Sequence, residues 1–365
     1  MSTGVGTFKV LKLVLGVVLS VQNVLGNWMY LGMVGVSVPT PTEPPQGIDT
    51  SDICSSIPGL VTKQRRVCEA HPAIIQAISA GARRGILQCQ HQFQNERWNC
   101  TIEGGESVFD HTLQRGSRET AFIYAITSAG AVHAITQACS AGNLTYCSCD
   151  LSRQGESTSE GWKWGGCSDN VRYGVIFARQ FVDAPERTRK KKKKSDVRAM
   201  MNLHNNQAGR LAIANQMEKK CRCHGISGSC ELKTCWRTMP SFEQVGNYLK
   251  NKYEISIQVS PRANRRLRRR GKVKRKVSLR KEDLVHIHKS PNYCVEDAQK
   301  GILGTSGRQC NRSSEGPESC NLLCCGRGYN TQVLRHVERC KCKFHWCCYV
   351  TCKTCETMVE IYTCK

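Results

Sequence analysis

Past its first residues the chain has no long apolar run. The longest, Leu13 to Leu25, falls short of the ~20 residues that a membrane-spanning helix needs. Acid is scarce, with 29 Asp plus Glu against 53 Lys plus Arg and a net charge of +24. No cysteine lies between Cys235 and Cys294, although the chain has 24. The basic runs contain no interleaved aromatic residue. Each absence excludes something. Without a spanning segment the chain does not read as an integral membrane protein. A +24 surface points to polyanionic partners. Basic runs without aromatics lack the stacking platforms of single-strand binding, which argues against nucleic acid. The cysteine gap divides the chain in two.

What is present begins with a leader. Lys9 and Lys12 precede the apolar run, which ends Val24-Leu25-Gly26. This pattern predicts a signal peptide over residues 1–26, cut before Asn27, and a secreted chain. In an oxidising compartment an even cysteine count reads as disulfides. The Cys221/Cys223, Cys340/Cys342 and Cys352/Cys355 spacings are therefore not read as zinc sites, and no metal is expected. Sequons at Asn99, Asn143 and Asn311 fit the same route and mark candidate N-glycosylation sites.

Twelve cysteines lie between Cys54 and Cys235, and twelve between Cys294 and Cys364. Each block is even and can close its own bridges. The first block reads as helical. Ile75, Ile78, Ala82, Ile86, Cys89 and Phe93 form one apolar stripe, and Phe122, Ile126, Ala129, Val132 and Ile135 another. Met200, His204, Ala208, Leu211 and Asn215 predict a third helix, entered through Ser195-Asp196. Ser241 with Gln244 forms a capping box ahead of Phe242, Val245 and Leu249. The second block is too small and too cysteine-rich to be ordered by a core alone, so irregular hairpins held by cross-links are expected. Between the blocks, Pro261 to Lys281 holds twelve Lys or Arg in twenty-one residues, and Lys190 to Lys194 is a second basic run. These runs point to sulfated glycans or anionic headgroups.

The expected fold is α+β and disulfide-rich. A helical N-terminal domain (27–257) carries a protruding hairpin (221–235). A basic linker (258–290) leads to a cystine-rich C-terminal domain (291–365). The hairpin is the main functional candidate. In Cys223-His224-Gly225-Ile226-Ser227-Gly228-Ser229-Cys230, a small hydroxyl sits between two glycines whose freedom at positive φ would push it outward. Ser227 lacks the Gly-x-Ser-x-Gly elbow of a hydrolase, since Ser229 follows at the second glycine position. A secreted hydrolase using Ser227 or His224 is one alternative, and a heparin-binding growth factor without lipid is another.

The 223–230 segment resembles the acylated hairpin of the Wnt signalling family. So do Gln90-His91-Gln92-Phe93 with Arg97-Trp98-Asn99-Cys100, Trp164 to Asn170, Met201 to Asn206, Cys324 to Tyr329, and Cys342 to Cys348. The resemblance implies the pairs Cys221–Cys235, Cys223–Cys230, Cys54–Cys68, Cys89–Cys100, Cys139–Cys147 and Cys149–Cys167. In the second block it implies Cys294–Cys325, Cys310–Cys320, Cys324–Cys364, Cys340–Cys355, Cys342–Cys352 and Cys347–Cys348. It further implies that Ser227 carries a monounsaturated sixteen-carbon acyl chain and that no other cofactor is needed. A membrane-bound O-acyltransferase would attach the chain, and a lipid-carrier protein would escort it. The lipid would then enter the cysteine-rich domain of a Frizzled receptor, with an LDL-receptor-related co-receptor completing the assembly. Phe344, Trp346, Cys347 and Cys348 would form a second receptor contact at a finger tip. Heparan sulfate proteoglycans are the glycan partners expected, and no catalytic activity is expected.

Overall fold

The computed structural model describes residues 27–34, 54–55, 57, 59–102, 109–192, 196–262, 266–270 and 279–365. The predicted leader and parts of both basic runs lie outside the described residues. The chain divides into two units, residues 1–91 with 102–290 and residues 92–101 with 291–365.

The first unit is built from helices α1 (Thr62–Ala70), α2 (Pro72–Phe93), α3 (Asp110–Arg115), α4 (Arg118–Ser140), α5 (Val171–Val182), α6 (Ala184–Lys192), α7 (Val197–Ala214) and α8 (Phe242–Glu254). Helix α4 is its centre, with seventeen of twenty-three residues buried. Its alanines and glycine let neighbours approach closely. A Cβ on Gly130 would collide with the Gly81 carbonyl of α2, and one on Gly209 of α7 with the Ala125 carbonyl of α4. The stripes read for α2 and α4 are buried throughout. Asp196 caps α7, its carboxylate accepting from Ala199 N at 3.0 Å, and Ser241 with Gln244 closes the capping box of α8.

The buried face of α7 differs from the predicted stripe. Of the predicted stripe Met200 and Ala208 are buried, His204 and Leu211 half-buried and Asn215 the exposed C-cap, while the buried face also takes in Met201, Asn202, Asn205, Asn206, Gly209, Ala212 and Ile213. The reason is polar. Asn202 donates to Glu186 at 2.9 Å, and Asn206 to Asp183 at 3.1 Å. Asn205 exchanges two 2.9 Å hydrogen bonds with the backbone of Val285. Asp183 is also paired with buried Arg210 at 2.9 Å and 3.1 Å. Such side chains are buried where they find hydrogen-bond partners, and hydropathy assigns them to the surface.

Two three-stranded sheets complete the unit. In one, β1 (Lys163–Trp164) runs parallel to β3 (Lys233–Thr238), which pairs antiparallel with β2 (Glu218–Cys223). In the other, β4 (Ile257–Arg262) lies between β5 (Arg266–Arg269) and β6 (Val285–His286). The stretch 258–290, expected as a linker, therefore contributes strands to the first unit. Val259 and Val285 are buried with Met201 of α7, and Ile257, Leu267 and Ile287 pack against them. These few apolar residues, scattered among the cations, anchor the stretch.

The second unit contains β7 (Gln309–Cys310), the short helix α9 (Cys320–Leu323), and a long ribbon of β8 (Tyr329–His345) against β9 (Tyr349–Cys364). The ribbon runs in antiparallel register from Tyr329↔Cys364 to His345↔Tyr349, with one irregularity between Cys340 and Lys343. Its strands are longer than the short β-prone runs visible in the sequence. Its small core is Cys320, Leu323, Cys324 and Cys364, with Tyr329 and Tyr362 packed against it.

The bridges Cys54–Cys68, Cys139–Cys147, Cys149–Cys167, Cys221–Cys235 and Cys223–Cys230 are formed. So are Cys294–Cys325, Cys310–Cys320, Cys324–Cys364, Cys340–Cys355 and Cys342–Cys352. Cys89 and Cys100 are also disulfide-bonded. The expected Cys347–Cys348 pair is not. Both are exposed thiols with their sulfurs 3.7 Å apart. A bond requires ~2.05 Å, and the turn adopted here, with φ of 78° and 89° at the two residues, leaves the sulfurs separated.

Candidate functional site

The hairpin β2–β3 is short, and a two-stranded hairpin is marginal on its own. Two cross-links hold it, Cys221–Cys235 low on the stem and Cys223–Cys230 below the tip. Above the inner bridge His224 N donates to Leu232 O at 2.7 Å. The tip is a single 3-10 turn, Ile226–Gly228. Gly228 has φ +79°, but Gly225 is extended at φ −114° and does not supply the turn as expected. The second left-handed residue is Ser227 itself, at φ 56° and ψ 26°. Gly225 is needed for a different reason: a Cβ there would collide with the Ser229 hydroxyl. Left-handed backbone is uncommon for a residue with a side chain and marks a position worth attention. Ser227 is exposed, and Ile226 beside it is 88% exposed. Among the described residues no hydrogen bond joins the Ser227 hydroxyl to His224 or to a carboxylate.

The foot of the hairpin explains the Trp164 to Asn170 motif. Gly165 N donates to Cys235 O at 3.0 Å, and Asp169 N to Arg237 O at 2.8 Å. Arg237 N in turn donates to the Ser168 hydroxyl at 3.1 Å. The Asp169 carboxylate accepts from Met239 N at 2.8 Å, the Thr238 hydroxyl at 3.2 Å and the Ser140 hydroxyl at 2.6 Å. One carboxylate thus ties β3 to the end of α4. Buried Cys235 packs with Trp162 and Trp164, whose rings meet edge-on at 4.9 Å. Arg153 lies over Trp164 at 4.3 Å and Lys219 over Trp162 at 4.5 Å. Such contacts contribute ~0.5–2 kcal/mol each. Nothing in the sequence announced this clamp beyond the motif itself, because its partners are 29 to 70 residues apart.

In the second unit the ribbon ends in His345-Trp346-Cys347-Cys348-Tyr349. Trp346 is 95% exposed and Phe344 68%, so neither is core. The turn is held below by Cys342–Cys352 and Cys340–Cys355 and braced by stacked rings of His345 and Tyr349, 4.7 Å apart. His345 Nε2 lies 2.6 Å from the Thr351 hydroxyl. At the ribbon's other end Arg327 donates to Cys294 O at 2.8 Å, Lys365 O at 2.9 Å and the Thr305 hydroxyl at 2.6 Å. This gives the Cys324 to Tyr329 motif a structural role. Arg308 likewise donates to the carbonyls of Gln94, Glu96 and Arg97 within the same unit.

The sequon asparagines Asn143 and Asn311 are exposed, and Asn99 is half-buried and accepts from the Thr101 hydroxyl. In the basic stretch Arg268 and Arg270 are exposed. The sulfurs of Cys310, Cys320 and Cys324 cluster within 4.8 Å, but all three are committed to disulfides, so they present no thiolate to a metal. Among the described residues no helix is long and apolar enough to cross a membrane.

The comparisons with known proteins agree with one another. A model of the Wnt family matches residues 56–365. The protein Wnt-16 of Bos taurus is 53% identical over 346 residues, which is 93% of this chain and 92% of the bovine one. The Mus musculus protein Wnt-16 is 53% identical over 348 residues, with 93% and 92% covered. Among solved structures, human WLS in complex with WNT8A matches with a TM-score of 0.59 at 37% identity, covering 80% of this chain and 94% of that one. With the stapled hairpin, the cystine ribbon and a match across the length of both, the chain belongs to the Wnt family of developmental signalling ligands.

Proposed function

We propose that this Wnt ligand is secreted and acylated on Ser227, and that it binds a Frizzled cysteine-rich domain through the acyl chain and through Phe344 and Trp346. The observation that carries the reading is the state of Ser227: exposed, left-handed, and held above two nested cross-links with no hydrogen bond to a base among the described residues. A hydroxyl in that setting is an acceptor for a membrane-bound O-acyltransferase rather than a nucleophile of its own. One monounsaturated sixteen-carbon chain gives only reversible membrane binding, on the order of 10⁴ M⁻¹, so the ligand can pass from membrane to carrier to receptor. A carrier is supported by the solved neighbour, a WNT8A bound to WLS. The exposed aromatic tip of the ribbon supplies a second anchor, since a rigid aromatic loses little entropy on docking. An LDL-receptor-related co-receptor completes the assembly. Arg268 and Arg270, with the cations around them, bind heparan sulfate, and Asn99, Asn143 and Asn311 accept N-glycans.

The deciding experiment is the intact mass of the secreted, deglycosylated protein and of its Ser227→Ala variant. The wild type should carry one C16:1 acyl mass and partition into detergent, and the variant neither. An unmodified wild-type mass, or equal detergent partitioning of the two, sinks the reading.

A further inference from the structure

The basic stretch between the cysteine blocks holds a candidate site of another kind. Four of the five residues 266–270 are arginine, in the order Arg266-Leu267-Arg268-Arg269-Arg270. Arg266 to Arg269 form β5, which pairs only with β4 and is an outer strand of its sheet. The pairing is thin. It spans four register pairs, of which one sets Arg266 opposite Arg262 and another sets Leu267 opposite Pro261. Like charges at paired positions weaken a ladder, and proline has no N–H to give to one. Leu267 is the anchor, packed against Met201, Val259 and Val285. Arg268 and Arg270 are exposed. Arg269 is half-buried, and among the described residues its Nε has no hydrogen-bond partner. Lifting β5 away hydrates that group, which offsets part of the lost packing. A strand held so lightly opens locally while the rest of the fold stays closed.

We propose that the Arg269–Arg270 peptide bond is a processing site for an arginine-directed endoprotease of the secretory route, which rests on the reading that the chain is secreted. Such a protease takes its substrate as an extended strand added along the cleft, and β5 already has that shape and a free outer edge. Carboxylates in the cleft read arginines through paired hydrogen bonds, here at positions one, two and four residues ahead of the bond. Water adds across the bond, leaving a carboxylate on Arg269 and an amine on Arg270. The hydrogen bond from Arg270 N to Gln258 O, 2.8 Å long, must break first. The other basic run has a similar order, Arg187-Thr188-Arg189-Lys190, but it lies in helix α6 and is not extended. Among the described residues no disulfide joins the chain before the cut to the chain after it. Ser227 and Trp346 therefore end on separate chains. The pieces stay assembled through β6, which follows the cut. Val285 is buried and its backbone exchanges two 2.9 Å hydrogen bonds with Asn205, while Ile287 N and His288 N donate to Gly116 O at 2.9 Å and 3.1 Å.

The test uses the full-length protein, produced in the presence of a convertase inhibitor and then digested without denaturant by a purified subtilisin-like proprotein convertase. The wild type should give two pieces on a denaturing gel run without reductant, one of them beginning at Arg270 by N-terminal sequencing. Before denaturation the two pieces should co-elute in size exclusion. Arg269→Gln should lose the cut, Arg266→Gln should slow it, and Arg268→Lys should keep it. If Arg269→Gln folds poorly, Arg266→Gln carries the comparison. An uncut wild type, a new N-terminus elsewhere, or cutting of Arg266→Gln at the wild-type rate overturns the proposal. So does a wholly intact chain in the medium of cells grown without inhibitor. If no protein reaches the medium, the secretion reading fails instead, and digestion of protein taken from the cells still judges the site.

Discussion

The chain contains two antiparallel hairpins built on one plan and ending in opposite chemistry. Each has two cross-links behind its tip, Cys221–Cys235 and Cys223–Cys230 in one, Cys340–Cys355 and Cys342–Cys352 in the other. Each turns through left-handed residues that carry side chains, Ser227 in the first and Cys347 with Cys348 in the second. The first tip is small and offers a hydroxyl between glycines. The second is bulky and offers Phe344 and Trp346. Their feet differ too. The β2–β3 foot is gripped by Asp169 and roofed by two tryptophans, whereas nearly all of the β8–β9 ribbon is exposed and relies on its bridges. Covalent staples therefore do for the exposed ribbon part of what a packed foot does for the β2–β3 hairpin, and in both they leave the tip free of structural duty.

The largest test of that contrast is at Cys235. It is fully buried against Trp162 and Trp164, so Cys235→Ala loses a bridge and a packing contact together. We expect a cost of ~3–5 kcal/mol and a collapse of secreted yield. Cys342→Ser in the exposed ribbon should cost ~2 kcal/mol and leave hydrogen exchange in α2, α4 and α7 unchanged. Equal disruption of the helices by both variants would refute the division of labour.

Trp346→Ala comes next. With 95% of its surface exposed it supports no core, so yield and acylation should stay at wild-type levels. Receptor affinity should drop by ~2–4 kcal/mol, roughly thirty- to a thousandfold, by surface plasmon resonance against a Frizzled domain. A collapse in yield would show that the tip is structural after all.

Acid separates the two regions by a different route. Burial, with Arg118 beside it, lowers the pKa of His286 in β6 to about 4, against the opposing pull of Glu119. Burial and Arg84 likewise lower His133 of α4 to about 4. Both histidines are neutral when folded and take up protons on unfolding. Their contribution is complete above the ordinary histidine pKa of ~6.5 and is lost as pH falls toward 4, at up to ~1.4 kcal/mol per pH unit for each. Hydrogen exchange of the helical unit should therefore accelerate between pH 6.5 and 4, and His286→Gln should flatten the slope. Among the described residues the β8–β9 ribbon has no buried histidine, so the same measurement on its strands serves as the comparison. An identical slope in His286→Gln would rule out that histidine as a source.

The smallest effect in stability is Gly225→Ala. The new Cβ meets Ser229 in an exposed turn, so the tip shifts at a cost of ~1 kcal/mol. Acylation should suffer far more than folding. Normal acyl occupancy by mass spectrometry would mean that the geometry at Ser227 is not what the transferase reads.

Much of this was legible beforehand. Apolar stripes marked α2 and α4 because their partners are one turn away in sequence, and Ser241 with Gln244 marked the start of α8. What escaped was long-range and polar. The face of α7 was read in part: Met200 and Ala208 are buried as expected, but Asn202, Asn205 and Asn206 are buried by partners that hydropathy cannot see. The foot of the hairpin was invisible because Asp169 acquires its role only when Ser140, Thr238 and Met239 converge on it. The 258–290 stretch read as a linker because three or four apolar residues that hold it to α7 are outnumbered by cations. At the tip, glycines suggested where the backbone turns, yet the chain assigns the left-handed conformation to the serine.

The eleven bridges each span only 7 to 40 residues. None links the block that ends at Cys235 to the block that begins at Cys294. Oxidation can therefore proceed in the order of synthesis, each loop closing soon after its second cysteine emerges, with little chance for early thiols to wait beside late ones. The exception is Cys324, whose partner Cys364 lies 40 residues further on. The second unit cannot complete its core until Cys364 emerges, so Cys364→Ser would strand a thiol that quality control can recognise, while leaving every earlier bridge in place.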